Sequence, residues 1–566
     1  MLALLVWLTT ALATPLRVEI GPIPSGLLAH RWFYLSTNLL VDANVSAAEN
    51  LMRRAAASGY NGFVLADYKL NILDRMGPEY FKNARRIAEV AKKLNLELVP
   101  AIFPIGYSSG ILAHDPNLVE GIPVIDAPFR VHNGKATLEP DPTLTVRNGG
   151  FEEANGDTAL GWQFQDWPGK ASFIDRQVRH SGQSSLRFQN VGAADPQYGH
   201  GRIMQRIALK PHRYYRVTVW MKTADFQAAD SVRVVMLAGD RNLCEQNLGV
   251  QQTQDWREHQ VVFNSLDNSQ ANLYIGVWGG KGGSLWIDDV KIEELGLVNV
   301  IRREGCPLTV RGEDGTVYVE GRDFEPVRDP KMGNIPWAGE FELYHEAPPI
   351  ELTPQSRIRE GQRLRVSFYH PAFIYDMQTT CCLTHPKVYQ VLKDQMQRVE
   401  TLLHPSAVLM SHDEIRVANW CALCQGRHLT PGEMLADNVR RCVAIIRSVS
   451  PTARIYVWSD MFDPSHNAHD NYYLVNGTWA GSWKGLTQDV GIVNWNFEGR
   501  TKSLPFFAQR GHKQILAGYY DGDVSTIVTW LKDAKGVSGI DGVMYTTWRD
   551  QYSGLEAFAH AAWGTK

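Results

Sequence analysis

Val408-Leu409-Met410-Ser411-His412-Asp413-Glu414 is a short apolar run that breaks into a polar turn and ends on two adjacent carboxylates. An unbroken apolar run of this length, with an amphipathic helical stretch before it (388–403), reads as a parallel strand buried on both faces. The same grammar recurs. Trp32-Phe33-Tyr34-Leu35-Ser36-Thr37, Gly62-Phe63-Val64-Leu65-Ala66-Asp67 and Leu96-Glu97-Leu98-Val99-Pro100-Ala101-Ile102-Phe103 lie upstream, and helical stretches follow the first two (47–58 and 78–94). Further runs lie downstream at 454–459, 491–496, 514–519 and 542–547. Strands alternating with helices predict an α/β fold with a parallel sheet closed as a (β/α)8 TIM barrel. Leu364-Arg365-Val366-Ser367-Phe368-Tyr369 makes a ninth candidate where a barrel needs eight. It is expected to extend or flank the third strand, which leaves Asp413 and Glu414 at the end of the fourth.

Between the third and fourth strands the rhythm changes. From about 145 to 294 short alternating strands are separated by Gly, Asn and Asp turns, as in Tyr214-Tyr215-Arg216-Val217-Thr218-Val219-Trp220-Met221. Period-two patterning predicts a β-sandwich inserted into the barrel. The expected division is therefore 1–14 signal peptide, 15–144 first part of the barrel, 145–295 sandwich, 296–362 β-rich connector and 363–566 second part of the barrel. The opening Asn148-Gly149-Gly150-Phe151-Glu152 with Gly161-Trp162, and the closing Leu285-Trp286-Ile287-Asp288-Asp289-Val290, resemble family 4/9 carbohydrate-binding modules. That resemblance implies a jelly-roll sandwich that binds glycan chains; a spacer role is the alternative.

Composition agrees with a modular chain. At 566 residues it is too long for one hydrophobic core and suggests roughly two to four domains. The net charge is −3, from 57 Lys and Arg against 60 Asp and Glu, so nothing marks it for nucleic acid. The 17 Trp and 21 Tyr suit surfaces that stack on sugar faces. Residues 1–13 form an apolar stretch ending Ala11-Leu12-Ala13, the pattern of a signal peptidase site, so a secreted or periplasmic protein is expected. No later stretch is apolar and long enough to span a bilayer. Of seven cysteines, the vicinal Cys381 and Cys382 together with Cys421-Ala-Leu-Cys424 are compatible either with disulfides or buried thiols, or with a structural zinc.

Active sites of such barrels lie at the C-terminal strand ends. Besides Asp67 on the second strand, those ends deliver Asp413 and Glu414, Trp458 and Asp460, Trp495, Tyr519 and Asp521, and Trp548 and Asp550. Repeated aromatics beside carboxylates are how a pocket for a sugar ring is built; helix capping by Asp is the structural alternative. Cys382-Leu383-Thr384-His385-Pro386, the helix after it, the Ser411-His412-Asp413-Glu414 strand end and Trp548-Arg549-Asp550 with its closing helix resemble family 20 β-N-acetylhexosaminidases of glycoside hydrolase clan K. Three departures are Ser411-His412 in place of that family's Gly-Gly, the lack of a clear equivalent of its sugar-gripping Arg on strand one, and the absence of its N-terminal α/β domain. The resemblance implies substrate-assisted catalysis by a retaining hydrolase. Glu414 would be the general acid, and Asp413 would orient the acetamide. Tyr519 would bond the acetamide carbonyl, while Trp458, Trp495 and Trp548 wall the sugar. No metal or cofactor is needed for that reaction. Two rivals remain: a conventional retaining glycosidase with a nucleophile among Asp521, Asp523 and Asp550, and a non-catalytic glycan-binding protein.

Overall fold

The computed structural model describes residues 28–375 and 377–564; the expected signal peptide lies outside them. Eight strands close into a parallel barrel: β1 His30–Ser36, β2 Gly62–Ala66, β3 Glu97–Ile102, β4 Ala407–Met410, β5 Arg454–Trp458, β6 Val490–Asn494, β7 Gln514–Ala517 and β8 Ile540–Tyr545. Closure is made by β1 pairing in parallel with β8, Trp32 opposite Met544. Large interior side chains fit because small ones face them. Trp32, Tyr456 and Trp458 share the barrel interior with Ala407, Ala517 and Val64. A Cβ on Gly62 would meet the Trp32 indole at 2.6 Å, and one on Gly491 the Tyr456 ring at 2.5 Å. Interdigitation of this kind is how a barrel becomes a packed core instead of a pore.

Helices α1 Asp42–Ala57, α2 Pro78–Lys93, α3 Pro386–Leu403, α4 Pro431–Val449, α5 Arg500–Ala508, α6 Thr526–Asp533 and α7 Leu555–Trp563 cover the barrel. Helix α4 starts on a capping box: Thr430 accepts from the Glu433 amide at 3.2 Å while Glu433 accepts from the Thr430 amide at 2.9 Å. Between β5 and β6 the strict alternation fails, and that connection carries two 3-10 turns, Asp460–Phe462 and Ser482–Gly485. Among the described residues no helix is long and apolar enough to cross a membrane.

Everything between β3 and α3 is insertion. Two five-stranded antiparallel sheets form the sandwich, one built around Tyr214–Ala224 and Ser284–Glu294, the other around Gly201–Ala208 and Gln270–Val277. Phe188, Val217, Ile203, Leu273 and Ile275 fill the space between them. A separate six-stranded sheet combines Gly121–His132 and Lys135–Leu138 with strands from the connector and with Arg363–Pro371.

That sheet corrects two boundaries. The Leu364 run neither extends nor flanks the third barrel strand; it pairs antiparallel with Gly121–His132, Leu364 opposite Phe129. Residues 121–138, expected in the first part of the barrel, belong to the same sheet. The physical reason is legible in the pattern. Leu364, Val366 and Phe368 are buried while Arg363 is exposed and Arg365 and Ser367 lie between, the alternation of a one-sided antiparallel strand.

Candidate functional site

The site is built where β3 and β4 end side by side. The Ser411 amide donates to the Ile102 carbonyl at 2.8 Å, and the Ile105 amide to the Ser411 carbonyl at 3.0 Å, so both chains leave the barrel together. Consecutive side chains on a regular strand point to opposite faces. Here Glu414 adopts φ 49°, a left-handed conformation rare outside glycine, and the turn brings both Asp413 and Glu414 to one cavity. The turn is held at both backbone atoms of Glu414: its amide donates to Asp460 Oδ2 at 2.8 Å, and its carbonyl accepts from Gln378 Nε2 at 2.8 Å. Gln378 also donates to the Gly106 carbonyl at 2.8 Å. Residue 106 has to be glycine, because a Cβ there would sit on the Asp413 carbonyl oxygen.

The cavity measures about 490 Å³, within the range of small-ligand sites. Its walls are aromatic. Trp458, 2 % exposed, closes the floor, and Tyr34, Tyr107, Trp495, Tyr520 and Trp548 stand around it. Trp495 stacks on Tyr520 with ring centroids 5.6 Å apart and planes 10° apart. Trp548 leans on Trp458 at 5.6 Å and on Tyr34 at 5.2 Å while remaining 43 % exposed at the rim.

The two carboxylates sit in opposed environments. Removal from water, then the charges of Asp460 and Glu414, push the Asp413 carboxyl up from 3.8 to about 8. Glu414 meets the Arg416 guanidinium at 2.7 Å and receives a hydrogen bond from the Tyr107 hydroxyl. Arg416 is fixed in turn: it donates to Gln378, and its guanidinium lies over Tyr375 at 4.5 Å and Tyr473 at 5.3 Å. The sandwich reaches the site through this cage, because Glu245 accepts from the Tyr375 hydroxyl at 2.9 Å.

Asp67, Asp413, Glu414, Trp458, Trp495 and Trp548 line the one cavity; Asp460, Tyr519, Asp521 and Asp550 do not. Asp67 is fully engaged, accepting from the Leu39 and Lys69 amides and the Tyr80 hydroxyl. Asp460 is buried and, besides the Glu414 amide, accepts from Trp495 Nε1 at 3.2 Å and Asn467 Nδ2 at 2.9 Å, so it positions the wall. Asp521 accepts from the Thr547 hydroxyl and from the amides of Trp548 and Arg549, which shapes the rim. Asp550 faces a neighbouring cavity beside Ser36 and Asp67. Tyr519 is turned inward, stacked on Tyr545 at 4.3 Å, and its neighbour Tyr520 occupies the pocket wall instead. That exchange follows from the left-handed turn at Tyr520 and Asp521, φ 56° and 55°, which no strand pattern announces. Tyr34 and Tyr107 went unnoticed in the sequence. Tyr34 was findable as the pocket-facing member of an alternating strand end, whereas Tyr107 lies beyond β3 in a loop without periodicity. Cys381 lies apart from the cluster in which Cys382, Cys421 and Cys424 meet.

Comparison with known proteins adds one firm result. No curated protein matches the chain. Among solved structures, the carbohydrate-binding module TmCBM61, determined with β-1,4-galactotriose, is 19 % identical over 26 % of this chain and 97 % of its own, TM-score 0.21. A rhamnosidase from Novosphingobium sp. PP1Y is 11 % identical over 95 % of this chain and 58 % of its own, TM-score 0.32. A β-N-acetylhexosaminidase is 14 % identical over 34 % of this chain and 46 % of its own, TM-score 0.26. Residues 144–282, the bulk of the sandwich, match the family model of a carbohydrate-binding domain.

Proposed function

We propose that the protein is an exported glycoside hydrolase with a (β/α)8 barrel, acting as a retaining β-N-acetylhexosaminidase through Asp413 and Glu414. The observation that carries it is a pair of adjacent carboxylates with opposed environments, facing one aromatic-walled cavity of about 490 Å³. A carboxyl whose proton affinity burial has raised, as at Asp413, is suited to act as a general acid. The carbohydrate-binding domain supports a polymeric or conjugated glycan as substrate.

We assign the roles in the reverse of the order expected from the sequence, on the ground of the burial of Asp413. Asp413, protonated at neutral pH, donates its proton to the leaving glycosidic oxygen. Glu414, paired with the Arg416 guanidinium and hydrogen-bonded by Tyr107, accepts from the acetamide N–H and stabilises the positive charge that develops as the acetamide carbonyl attacks the anomeric carbon. A carboxylate nucleophile is disfavoured because Asp521 is tied to the Trp548 and Arg549 amides, and Asp523 caps the amide of Ser525.

The test is hydrolysis of aryl β-glycosides of GlcNAc, GalNAc, glucose and galactose by wild type, Asp413→Asn and Glu414→Gln. Cleavage confined to the acetamido sugars is expected. Asp413→Asn should keep activity on a dinitrophenyl glycoside, whose leaving group needs no proton, and lose about 10²–10⁴-fold on a methyl glycoside. Glu414→Gln should lose on both. Equal cleavage of sugars lacking the acetamide would overturn the substrate-assisted reading, and the opposite leaving-group pattern would return the proton to Glu414.

A further inference from the structure

Outside the pocket, three thiols converge from separate parts of the chain. Cys382 precedes α3, and Cys421 and Cys424 bracket one turn in the loop after β4. Cys382 Sγ lies 3.7 Å from Cys421 Sγ and 3.5 Å from Cys424 Sγ. Glu120, at the start of the six-stranded sheet, brings a carboxylate oxygen into the same group, and all four ligand atoms fall within 4.8 Å of one another. All four residues are buried, none more than 2 % exposed. Cys306, from the connector, lies near Cys421 on the same side.

These spacings have a chemical meaning. Thiolates bound tetrahedrally to zinc at about 2.3 Å stand about 3.8 Å apart, close to the separations observed. A disulfide requires sulfur atoms about 2 Å apart, and all seven cysteines here are free. The surroundings suit an anionic cluster. Arg303 donates to Cys421 Sγ at 3.7 Å and lies 4.0 Å from Glu120, and Glu120 Oε1 accepts from the amides of Trp420 and Cys421 at 2.7 and 3.0 Å. Backbone donors at a Cys-x-x-Cys turn and a buried guanidinium offset the charge of several thiolates, the outer support that metal sites need.

We propose that Cys382, Cys421 and Cys424 hold one structural divalent cation of the zinc class by their thiolates, with the fourth position closed from the side of Glu120 and Cys306. The ion joins four segments that the fold otherwise brings together only by packing: the six-stranded sheet, the connector, the entry to α3 and the loop that leaves Glu414. Its role is independent of the reaction proposed above.

The full chain, purified without chelator from zinc-supplemented cells, is expected to contain one zinc per molecule by elemental analysis. An organomercurial should release it into a zinc indicator, and cobalt substitution should give a thiolate charge-transfer band. Cys382→Ser and Cys424→Ser should abolish binding, while Cys381→Ser and Cys442→Ser, which change buried thiols outside the cluster, should retain it. Loss of metal in Cys306→Ser or in Glu120→Gln identifies the fourth ligand. The mercurial release and the cobalt spectrum use wild-type protein, so the proposal stays testable even where a serine variant does not fold. Less than a tenth of a zinc or cobalt per chain after supplementation, with a disulfide among these cysteines by mass spectrometry, would overturn it.

Discussion

Asp413→Asn should stabilise this protein at alkaline pH while disabling it. Asn keeps the shape of the side chain and removes the charge that the pocket disfavours. The wild-type carboxyl is pushed from 3.8 to about 8, and at about 1.4 kcal/mol for each tenfold change in proton affinity the ceiling on its destabilisation is about 6 kcal/mol. Because the folded value lies above the unfolded one, the unfolded chain releases this proton first. The stability linked to it is fully present below about pH 4 and is lost as pH rises to about 8. Asp413 faces an open pocket, so water and salt screen the effect and about 2–4 kcal/mol is the realistic size. Urea unfolding followed by tryptophan fluorescence should therefore find the variant about 2–4 kcal/mol more stable than wild type near pH 9, and equal to it near pH 4. The transition to read is the one that includes the barrel, since a modular chain need not unfold in a single step. A difference that does not change with pH, or a variant less stable than wild type near pH 9, would refute the assignment of the proton to Asp413.

Arg416→Met leaves Glu414 without its buried partner and should destabilise by about 3–5 kcal/mol, read by the same denaturation, with kcat falling alongside. Gly106→Ala forces a methyl group onto the Asp413 carbonyl; about 1–3 kcal/mol of overpacking and a kcat loss with little change in KM are expected from steady-state kinetics. Glu245→Ala, in the sandwich and outside the pocket, removes the acceptor of the Tyr375 hydroxyl. It should cost about 1 kcal/mol and lower kcat through the Arg416 cage, whereas an unchanged kcat would mean the sandwich does not brace the site.

The barrel was legible because each of its strands carries an unbroken apolar run, such as Trp32-Phe33-Tyr34-Leu35 in β1, a pattern that burial on two faces imposes. Val408-Leu409-Met410 and Gly491-Ile492-Val493 are examples, and every one of these residues is buried. Arg363–Pro371 was misread because its two arginines were discounted beside Leu364, Val366 and Phe368; given full weight, the alternation marks a one-sided antiparallel strand. In the pocket, Asp413, Glu414, Trp458, Trp495 and Trp548 were found from their position at strand ends. Tyr520 was missed for its neighbour because a left-handed turn at 520–521 reverses which tyrosine faces inward. The meeting of Glu120 and Cys306 with Cys421 had no local signature at all. Those residues come from segments about 300 and about 115 positions apart, and only the inserted sheet and connector bring them together.

The insertion between β3 and β4 also bears on how the chain reaches its native state. Closing the barrel requires Ile102 to pair with Met410, across about 300 intervening residues. Were that stretch a flexible coil, joining its ends would cost about 5 kcal/mol of chain entropy, against about 1–2 kcal/mol for an ordinary connection of a few residues. A sandwich and a six-stranded sheet that collapse first convert the long coil into a compact spacer with its two ends already adjacent. Strand pairing within the insert is therefore expected to precede closure of the barrel. Refolding should show the sandwich protected from hydrogen exchange earlier than β3 and β4.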